Sequence, residues 1–420
     1  MDQNNKTLKG YKFRIYPNKV QQSFFQKQFG ANRYVWNYML ETKKDAYLHA
    51  GIKLNYCDTS KGLTAIKKME ELKWLKEMNS QSIQQELKHL DVAYSRFFRQ
   101  QADFPQFKSK HDKQSFVIPQ HFTYEGNLLS IPKIKEKIKV NQHREFGEEA
   151  KILFITISKN KAGKYFASFQ VEEKTIKPIQ DSTNSIGIDL GLKDLLVFSD
   201  GKRIANPKFA KKLENKLDYQ HRQLSKSKKD SKTREKCRLK LAKTYEKITN
   251  QKLDFTHKLT KKIVDENQII VMENLDVKSM MQERKMAKSI QQVSWGEIAR
   301  QLEYKSNWQG KTFVKINRFF PSSKTCGHCG FIKQDLTLQD RNWQCIKCDT
   351  NHDRDLNAAN NILKQGQNII NNLPDGKPFG KNSDLGAKSE SKQKLGEPLK
   401  KVLPQGKRNI KVKNLEAASL

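Results

Sequence analysis

Four cysteines fall in two short knuckles, Cys326 and Cys329 in "CGHCG" and Cys345 and Cys348 in "CIKC", with fifteen residues between the pairs. Two C-x2-C knuckles at that separation have the ligand spacing of a four-thiolate zinc site. Each knuckle bends the backbone so that two sulfurs reach one ion, and the pair closes a tetrahedron. Four protein ligands leave no position open for substrate, so one structural Zn²⁺ is expected. His328 and His352 lie nearby but are not needed as ligands, and Cys57 and Cys237 stand alone as free thiols. A second set is acidic. Asp189 sits in the apolar "IGIDLG", Glu273 ends the apolar run of "QIIVMEN", and Asp355 opens "DLNAANNILK". An ionised carboxylate in an apolar strand is costly unless it is paired or holds a metal. Ala358, Ala359, Ile362 and Leu363 follow Asp355 at helical spacing, so its carboxylate leads the core-facing stripe. Two strand acids and one helix-start acid meeting at a point would make a site for hard cations, Mg²⁺ or Mn²⁺, and two such ions about 4 Å apart can activate a water and steady the leaving oxygen in phosphodiester hydrolysis. Taken singly, plainer roles stand beside this one: Asp355 as a helix cap, Asp189 as a turn former, Glu273 as the polar end of a strand. Asp349 and Asp353 are assigned to turns or caps.

The elements that would carry these side chains are legible from periodicity. "GYKFRIYP" alternates apolar and basic residues like a half-buried strand, and Pro17 ends it. Residues 18–100 carry helical periodicity, rich in aromatics and lysine. From about 115 to 173 the pattern turns to strands separated by Gly and Asn turns. "KPIQDSTNS" reads as a linker. "SIGIDLGLKDLLVFSDGKRI" reads as a strand pair turning at Asp200-Gly201, followed by long helices. Beyond residue 366 the composition shifts to Gly, Pro, Ser and Lys without periodicity, which predicts a disordered basic tail over 367–420.

Charge narrows the partner. Among 420 residues, 80 Lys+Arg face 45 Asp+Glu, a net charge of +35. Such an excess calls for a polyanion, either nucleic acid or an anionic membrane. No apolar run approaches membrane-spanning length and "MDQNNKTLKG" lacks a signal-peptide core, so nucleic acid is the expected partner and a cytoplasmic, nucleoid-associated location the expected place. Residues 202–262 hold twenty-one Lys+Arg against six Asp+Glu on an expected helical hairpin, too unequal for simple intrahelical pairing. Arg33, Tyr34, Trp36, Arg96, Phe97, Phe98 and Arg99 add aromatic and guanidinium groups to the helical lobe, most of the aromatics at core-like spacing.

The blocks "IGIDLGLKDLLVFSDG", "IIVMENL", "FPSSKTCGHCG" and "WQCIKCDTNHDRDLNAANNI" resemble the signatures of the TnpB family. These are transposon-encoded, OrfB-type, RNA-guided DNA nucleases related to type V CRISPR effectors. "YKFRIYPNKVQQSFFQKQFGANRYVWNYML", "DFPQFKSKHDKQSF" and "SWGEIARQLEYKSNWQGKTFVKI" are similar to its other blocks, in the expected order over about residues 10–366.

The resemblance implies a multi-domain α/β protein. A RuvC-like nuclease of RNase H fold would occupy 184–322 and 351–366, with a zinc ribbon inserted over 323–350. A wedge β-barrel would occupy 1–20 and 115–180, and a helical recognition lobe 21–114. Asp189, Glu273 and Asp355 match the family's three catalytic acids, the last because it precedes x-N-A-A. The implied partners are a guide RNA from the element's end and target double-stranded DNA beside a short adjacent motif, with base pairing reading the sequence. A monomer is expected. Two departures appear: Asp349 stands where Gly commonly follows the last cysteine, and Gln291 and Gln292 stand where an acid is often present. Two other classes remain in view, a guide-dependent DNA-binding protein that no longer cuts and a strand-transferring transposase. The intact acids oppose the first. No His-hydrophobe-His motif with a downstream Tyr is evident for the second.

Overall fold

The computed structural model describes residues 6–174, 184–282, 284–337 and 339–372. Strand β1 (Lys6–Tyr16) ends at Pro17, and Asn18 caps helix α1 (Lys19–Ala50) through a reciprocal capping box with Gln21. Gly51 closes that helix at φ 67°, a left-handed turn that a glycine adopts without strain. Helices α2 (Tyr56–Ile66) and α3 (Ser80–Phe98) complete the helical lobe. Then come β2 (Gln114–Ile118), β3 (Thr123–Glu125), β4 (Leu128–Ser130), β5 (Ile138–Asn141), β6 (Lys151–Lys159) and β7 (Tyr165–Lys174).

These strands form one antiparallel sheet of order β2-β6-β7-β1-β5-β4-β3, with the N-terminal strand in its middle. Its terminal strands β2 and β3 do not pair with each other among the described residues. The sheet is therefore curled and open, not a barrel closed by hydrogen bonds. Phe25 and Phe29 of α1 pack into its apolar core beside Phe13, Phe116 and Phe169. Farther along, Val35, Met39 and Leu40 of the same helix belong to the core of the helical lobe. The expected boundary at residue 21 thus falls inside one unbroken helix.

Of the aromatics singled out above, Trp36 is buried and its indole donates to the Gln106 carbonyl at 3.0 Å. Tyr34 and Phe97 pack against Trp74 and Phe104, whereas Phe98 is 70% exposed.

The second half contains β8 (Ser185–Leu190), β9 (Asp194–Phe198), β10 (Arg203–Ala205), α4 (Glu214–Lys226), α5 (Lys232–Glu266) and β11 (Ile269–Glu273). After these come α6 (Val277–Met280), α7 (Arg284–Val293), α8 (Trp295–Trp308), β12 (Thr312–Ile316), β13 (Asn342–Gln344), β14 (Asn351–Asp353) and α9 (Arg354–Asn371). The predicted strand pair is in fact a three-stranded meander. Gly191 turns the chain between β8 and β9, where a Cβ would collide with the Asp194 backbone, and Gly201 at φ 86° turns it again. β11 joins β8 in parallel and β12 joins β11 in parallel, giving the order β10-β9-β8-β11-β12. The basic stretch forms the expected hairpin of α4 and α5.

One face of this sheet, with Ile186, Ile188, Ile270 and Met272, packs on α5 and α8. The other face, with Val271, Val314 and Ile316, receives α9. That helix runs through Asn371, and Ile369 and Ile370 pack on the same cluster, so ordered structure extends past the predicted start of the tail. Residues 373–420, and most of the predicted linker before Ser185, lie outside the described residues. Among the described residues no helix is long and apolar enough to cross a membrane.

Candidate functional site

The register of β8 and β11 sets two of the acids side by side. Gly187 pairs with Val271, and Asp189 and Glu273 each lie two residues farther on, on the face that α9 covers. Each carboxyl lies close enough to shift the other's titration. Helix α9 can lie this close because Gly187 has no side chain. A Cβ there would meet the Leu363 Cβ at 2.8 Å and strike the Ala359 carbonyl. Gly366, farther along the helix, approaches Val271 in the same way, with 2.9 Å from a built Cβ to the valine Cβ. Ala359 lies one helical turn beyond Asp355, so this contact fixes the end of α9 that carries Asp355 near enough for its charge to act on Asp189, although the oxygens of the three acids do not gather as tightly as the cysteine sulfurs described below.

The electrostatics follow from these positions. Burial, then the charges of Glu273 and Asp355, raise the Asp189 carboxyl well above its ordinary value. Burial likewise raises Glu273, against the hydrogen bond that Ser322 Oγ donates to Glu273 Oε1 at 2.8 Å. Asp355 is bound by Arg341 at 3.0 Å and approached by Arg203 at 4.0 Å. The capping role that Asp355 might have filled belongs to Asp353, whose carboxylate accepts from the Leu356 amide at 2.9 Å. Asp355 is thereby left to the acid cluster. Ser322, Arg203 and Arg341 escaped sequence reasoning. The hydroxyl of "FPSSK" was the only hint of the first, and neither arginine carried a pattern.

The four cysteines also come together, with their sulfurs all within 4.8 Å of one another. Cys326 and Cys348 are 3.6 Å apart, as are Cys329 and Cys345. Zinc bonds of about 2.3 Å in a tetrahedron separate sulfurs by about 3.8 Å. These separations exclude disulfides, whose sulfurs are about 2 Å apart. The Thr350 hydroxyl and amide pull the Cys348 thiol down to about 5, whereas, against a hydrogen bond from the Phe331 backbone, burial and the other three sulfurs push Cys329 up to about 12, so crowding keeps the cluster from losing all its protons until a cation replaces them. This cluster can hold a zinc ion. His352 does not complete the tetrahedron; its Nε2 lies 3.0 Å from Cys326 Sγ and its ring packs on Trp343. Asp349 sits at φ 55°, the left-handed turn after the last cysteine, which Asp tolerates better than most residues.

Helix α9 is fastened to the cysteine knuckle. Asn357 donates to the Thr325 carbonyl at 2.7 Å and accepts from the Gly327 amide at 2.9 Å. Asn361 donates to Ser322 and Thr325 carbonyls at 2.8 and 2.7 Å, and Lys364 to the Gly327 carbonyl at 2.5 Å. One helix thus carries Asp355, packs on the sheet and grips the knuckle.

A protein of Streptomyces pristinaespiralis named "Putative RNA-guided DNA endonuclease" is 37% identical over 362 residues, 85% of this chain and 89% of the relative. The chain belongs to the TnpB family. A family model described as "Probable transposase", of OrfB IS605 type, matches residues 168–284, and a Cas12f1-like TNB domain model matches 295–362. A model named for a helix-turn-helix domain matches 3–51, a stretch that here forms β1 and the single helix α1. The Escherichia coli K12 protein InsQ, named as the Streptomyces protein is, is 28% identical over 87% of this TnpB chain and 94% of its own. The TnpB-like protein L79 of Acanthamoeba polyphaga mimivirus is 24% identical over 84% of this chain and 72% of its own. Among solved structures, a Cas12f1–sgRNA–target DNA complex aligns with a TM-score of 0.47 and 13% identity, over 85% of this chain and 99% of that one.

Proposed function

We propose that this chain is an RNA-guided DNA endonuclease of a transposon-associated family, and that Asp189, Glu273 and Asp355 hold its catalytic metals. The observation that carries the reading is that the register of β8 and β11 sets Asp189 and Glu273 side by side while the charge of Asp355 on α9 acts on Asp189. The donor set is all hard oxygen, which suits two Mg²⁺ or Mn²⁺ ions. The raised carboxyls of Asp189 and Glu273 mark a place where a cation would replace a shared proton. Bound there, such ions supply an activated water and stabilise the leaving oxygen of the phosphodiester. The chain's own residues do the rest. Ser322 orients Glu273, the close approach at Gly187 orients Asp355, and Arg203 and Arg341 set the charge around it.

The order β10-β9-β8-β11-β12 with α9 on one face supports a RuvC-like nuclease of RNase H type over 184–322 and from 351 to the end of α9. Residues 323–350 are assigned to a zinc ribbon with one structural Zn²⁺ on Cys326, Cys329, Cys345 and Cys348. The curled sheet is assigned to the wedge and α1–α3 to the recognition lobe. The partners are a guide RNA and target double-stranded DNA, with pairing reading sequence and the basic surface holding backbone.

Purification through high salt tests this. A guide-dependent nuclease retains one dominant RNA, whose terminal segment specifies the DNA that is cut, because base and shape contacts add to the ionic term. Asp189→Ala is expected to abolish cutting and leave RNA and target binding nearly intact. A smear of RNA removed by salt, with nicking that needs no guide, would refute RNA guidance. Equal loss of binding and cutting in Asp189→Ala would refute the metal-ligand role.

A further inference from the structure

Between β12 and the first cysteine knuckle, the loop "NRFFPSSK" lines, with every residue but Phe319, a cleft of about 300 Å³ whose walls include Glu273, Leu275, Arg318, Phe320 and Lys324. Its two adjacent phenylalanines have opposite fates. Phe320 packs on the cluster of Val271, Ile316 and Ile362 beneath α9. Phe319 is 83% exposed, the most exposed large apolar side chain among the described residues. The exposure is built in. The Phe319 amide donates to the Asn317 side chain at 2.9 Å and the Phe320 amide to the Asn317 carbonyl at 3.1 Å. Lys324 and Thr325 amides close a turn on the Pro321 carbonyl, and Asn361 of α9 fixes the Ser322 carbonyl. With its backbone held at both ends, Phe319 cannot fold back into the core that Phe320 fills. Leaving a phenyl ring in water forgoes the burial that ordinarily stabilises it.

We propose that Phe319 is a stacking platform for an unpaired nucleobase of the DNA strand delivered to the three acids. The proposal rests on the nuclease reading above. The loop points to the occupant: Arg318, the sequence neighbour of Phe319, and Lys324 both line the cleft, so one loop presents an exposed ring and two cations, complementary to a base carried on phosphates. Both cations are anchored, Arg318 to Asp276 at 3.3 Å and Lys324 to the Gln334 carbonyl at 2.8 Å. Glu273 lines that cleft as well, so a base held by Phe319 on the loop that walls it brings the neighbouring phosphodiester toward the acids. A duplex covers its base faces with neighbouring pairs, and only an unpaired strand offers one to a side chain. Every base has such a face, so this contact adds grip without sequence preference, as a guided nuclease needs.

Full-length protein with its guide RNA provides the test, using single-stranded DNA that carries 2-aminopurine near the cut site in an Asp189→Ala background. Wild-type Phe319 and Phe319→Trp are expected to quench the probe, and Phe319→Ala and Phe319→Leu to leave it bright. In cleavage-competent protein, Phe319→Ala should lower kcat/KM on single-stranded DNA about 5- to 150-fold, the equivalent of a lost stack of about 1–3 kcal/mol. Phe319→Leu should fall equally, because it keeps the apolar volume and loses the ring face, and Phe319→Trp should retain activity. Alanine and leucine variants that quench and cut like wild type would overturn the proposal. So would a Phe319→Ala protein whose guide-RNA retention falls while its DNA affinity per complex is unchanged, since that outcome places a guide base on the ring. If Asp189→Ala still cuts, the nuclease reading itself fails. If Asp189→Ala is dead and Phe319→Ala is unaffected, only the stacking role fails.

Discussion

Replacing Gly187 with alanine should separate the acid cluster while leaving every acid in place. The added methyl would sit 2.8 Å from the Leu363 Cβ and 2.9 Å from its backbone nitrogen, and would strike the Ala359 carbonyl. Carbon atoms in contact rest about 3.5–4.0 Å apart, so α9 must retreat by at least about 0.7 Å. Two of the three obstructions are backbone atoms of a helix, so no side-chain rotation relieves the clash. Overpacking of this kind costs about 1–3 kcal/mol. For a domain of this size that lowers the melting temperature by roughly 2–4 °C per kcal/mol. The effect on catalysis should be larger, because Asp355 rides on the displaced helix. A misplacement near 1 Å can cost about 100-fold in rate. Guide-RNA retention and target binding, measured by filter binding, should stay at wild-type levels while single-turnover cleavage falls by about that factor. Gly62→Ala, whose methyl would make ordinary contact with Met39 at 3.6 Å, serves as the control and should cut normally. Gly187→Ala protein that cleaves at the wild-type rate would refute the argument that this strand–helix approach sets the site.

Serine at both Cys326 and Cys345 should strip one zinc per chain and unfold the ribbon, since structural zinc contributes folding energy; elemental analysis finding no zinc in the wild-type protein would contradict this. The pH dependence of metal-stripped protein has a defined sign. A carboxyl raised in the fold, as Asp189 and Glu273 are, stabilises fully below the unfolded value of about 3.9–4.3, and the contribution is lost as pH rises through the folded value. Calorimetry of stripped protein should show the melting temperature falling from mildly acidic to neutral buffer, with Mg²⁺ restoring more at the higher pH. An Asp189→Asn variant with the same pH profile would refute that linkage. Ending the chain at Gly366 should lower stability, because it deletes Ile369 and Ile370 from the cluster beneath the helix; unchanged melting would show that they contribute nothing.

The acids were legible because each sits where local pattern is strong: two in apolar runs and one at the head of a helical stripe. The cysteine spacing predicted a shared ion site, and the sulfurs do gather. Asp353 as a cap and Asp349 in a turn were equally local. What the pattern could not convey is pairing at a distance. Nothing in "GYKFRIYP" says that it lies between β7 and β5, and no periodicity marks where α1 leaves one core for another. Gly191 hid a turn inside what read as one strand, because a single glycine there is needed only for the Asp194 backbone opposite. The asparagines of α9 carried no signal in the sequence, and Ile369 and Ile370 lay beyond an apparent loss of periodicity. Both are explained by partners supplied from the knuckle and the sheet.

The position of α9 has a consequence for how the chain is made. β8 leaves the ribosome long before the helix that covers it, and Gly187 gives that strand no side chain with which to shield itself. Until α9 is synthesised, the sheet face bearing Val271, Val314 and Ile316 has no cover from that helix. Non-local docking of this kind is slow and exposes apolar surface in the meantime. A nascent or truncated chain ending before Asp355 carries most of the basic residues but lacks the third acid of the candidate site. The third acid of the candidate site therefore arrives only after nearly all of the basic helical hairpin has been synthesised.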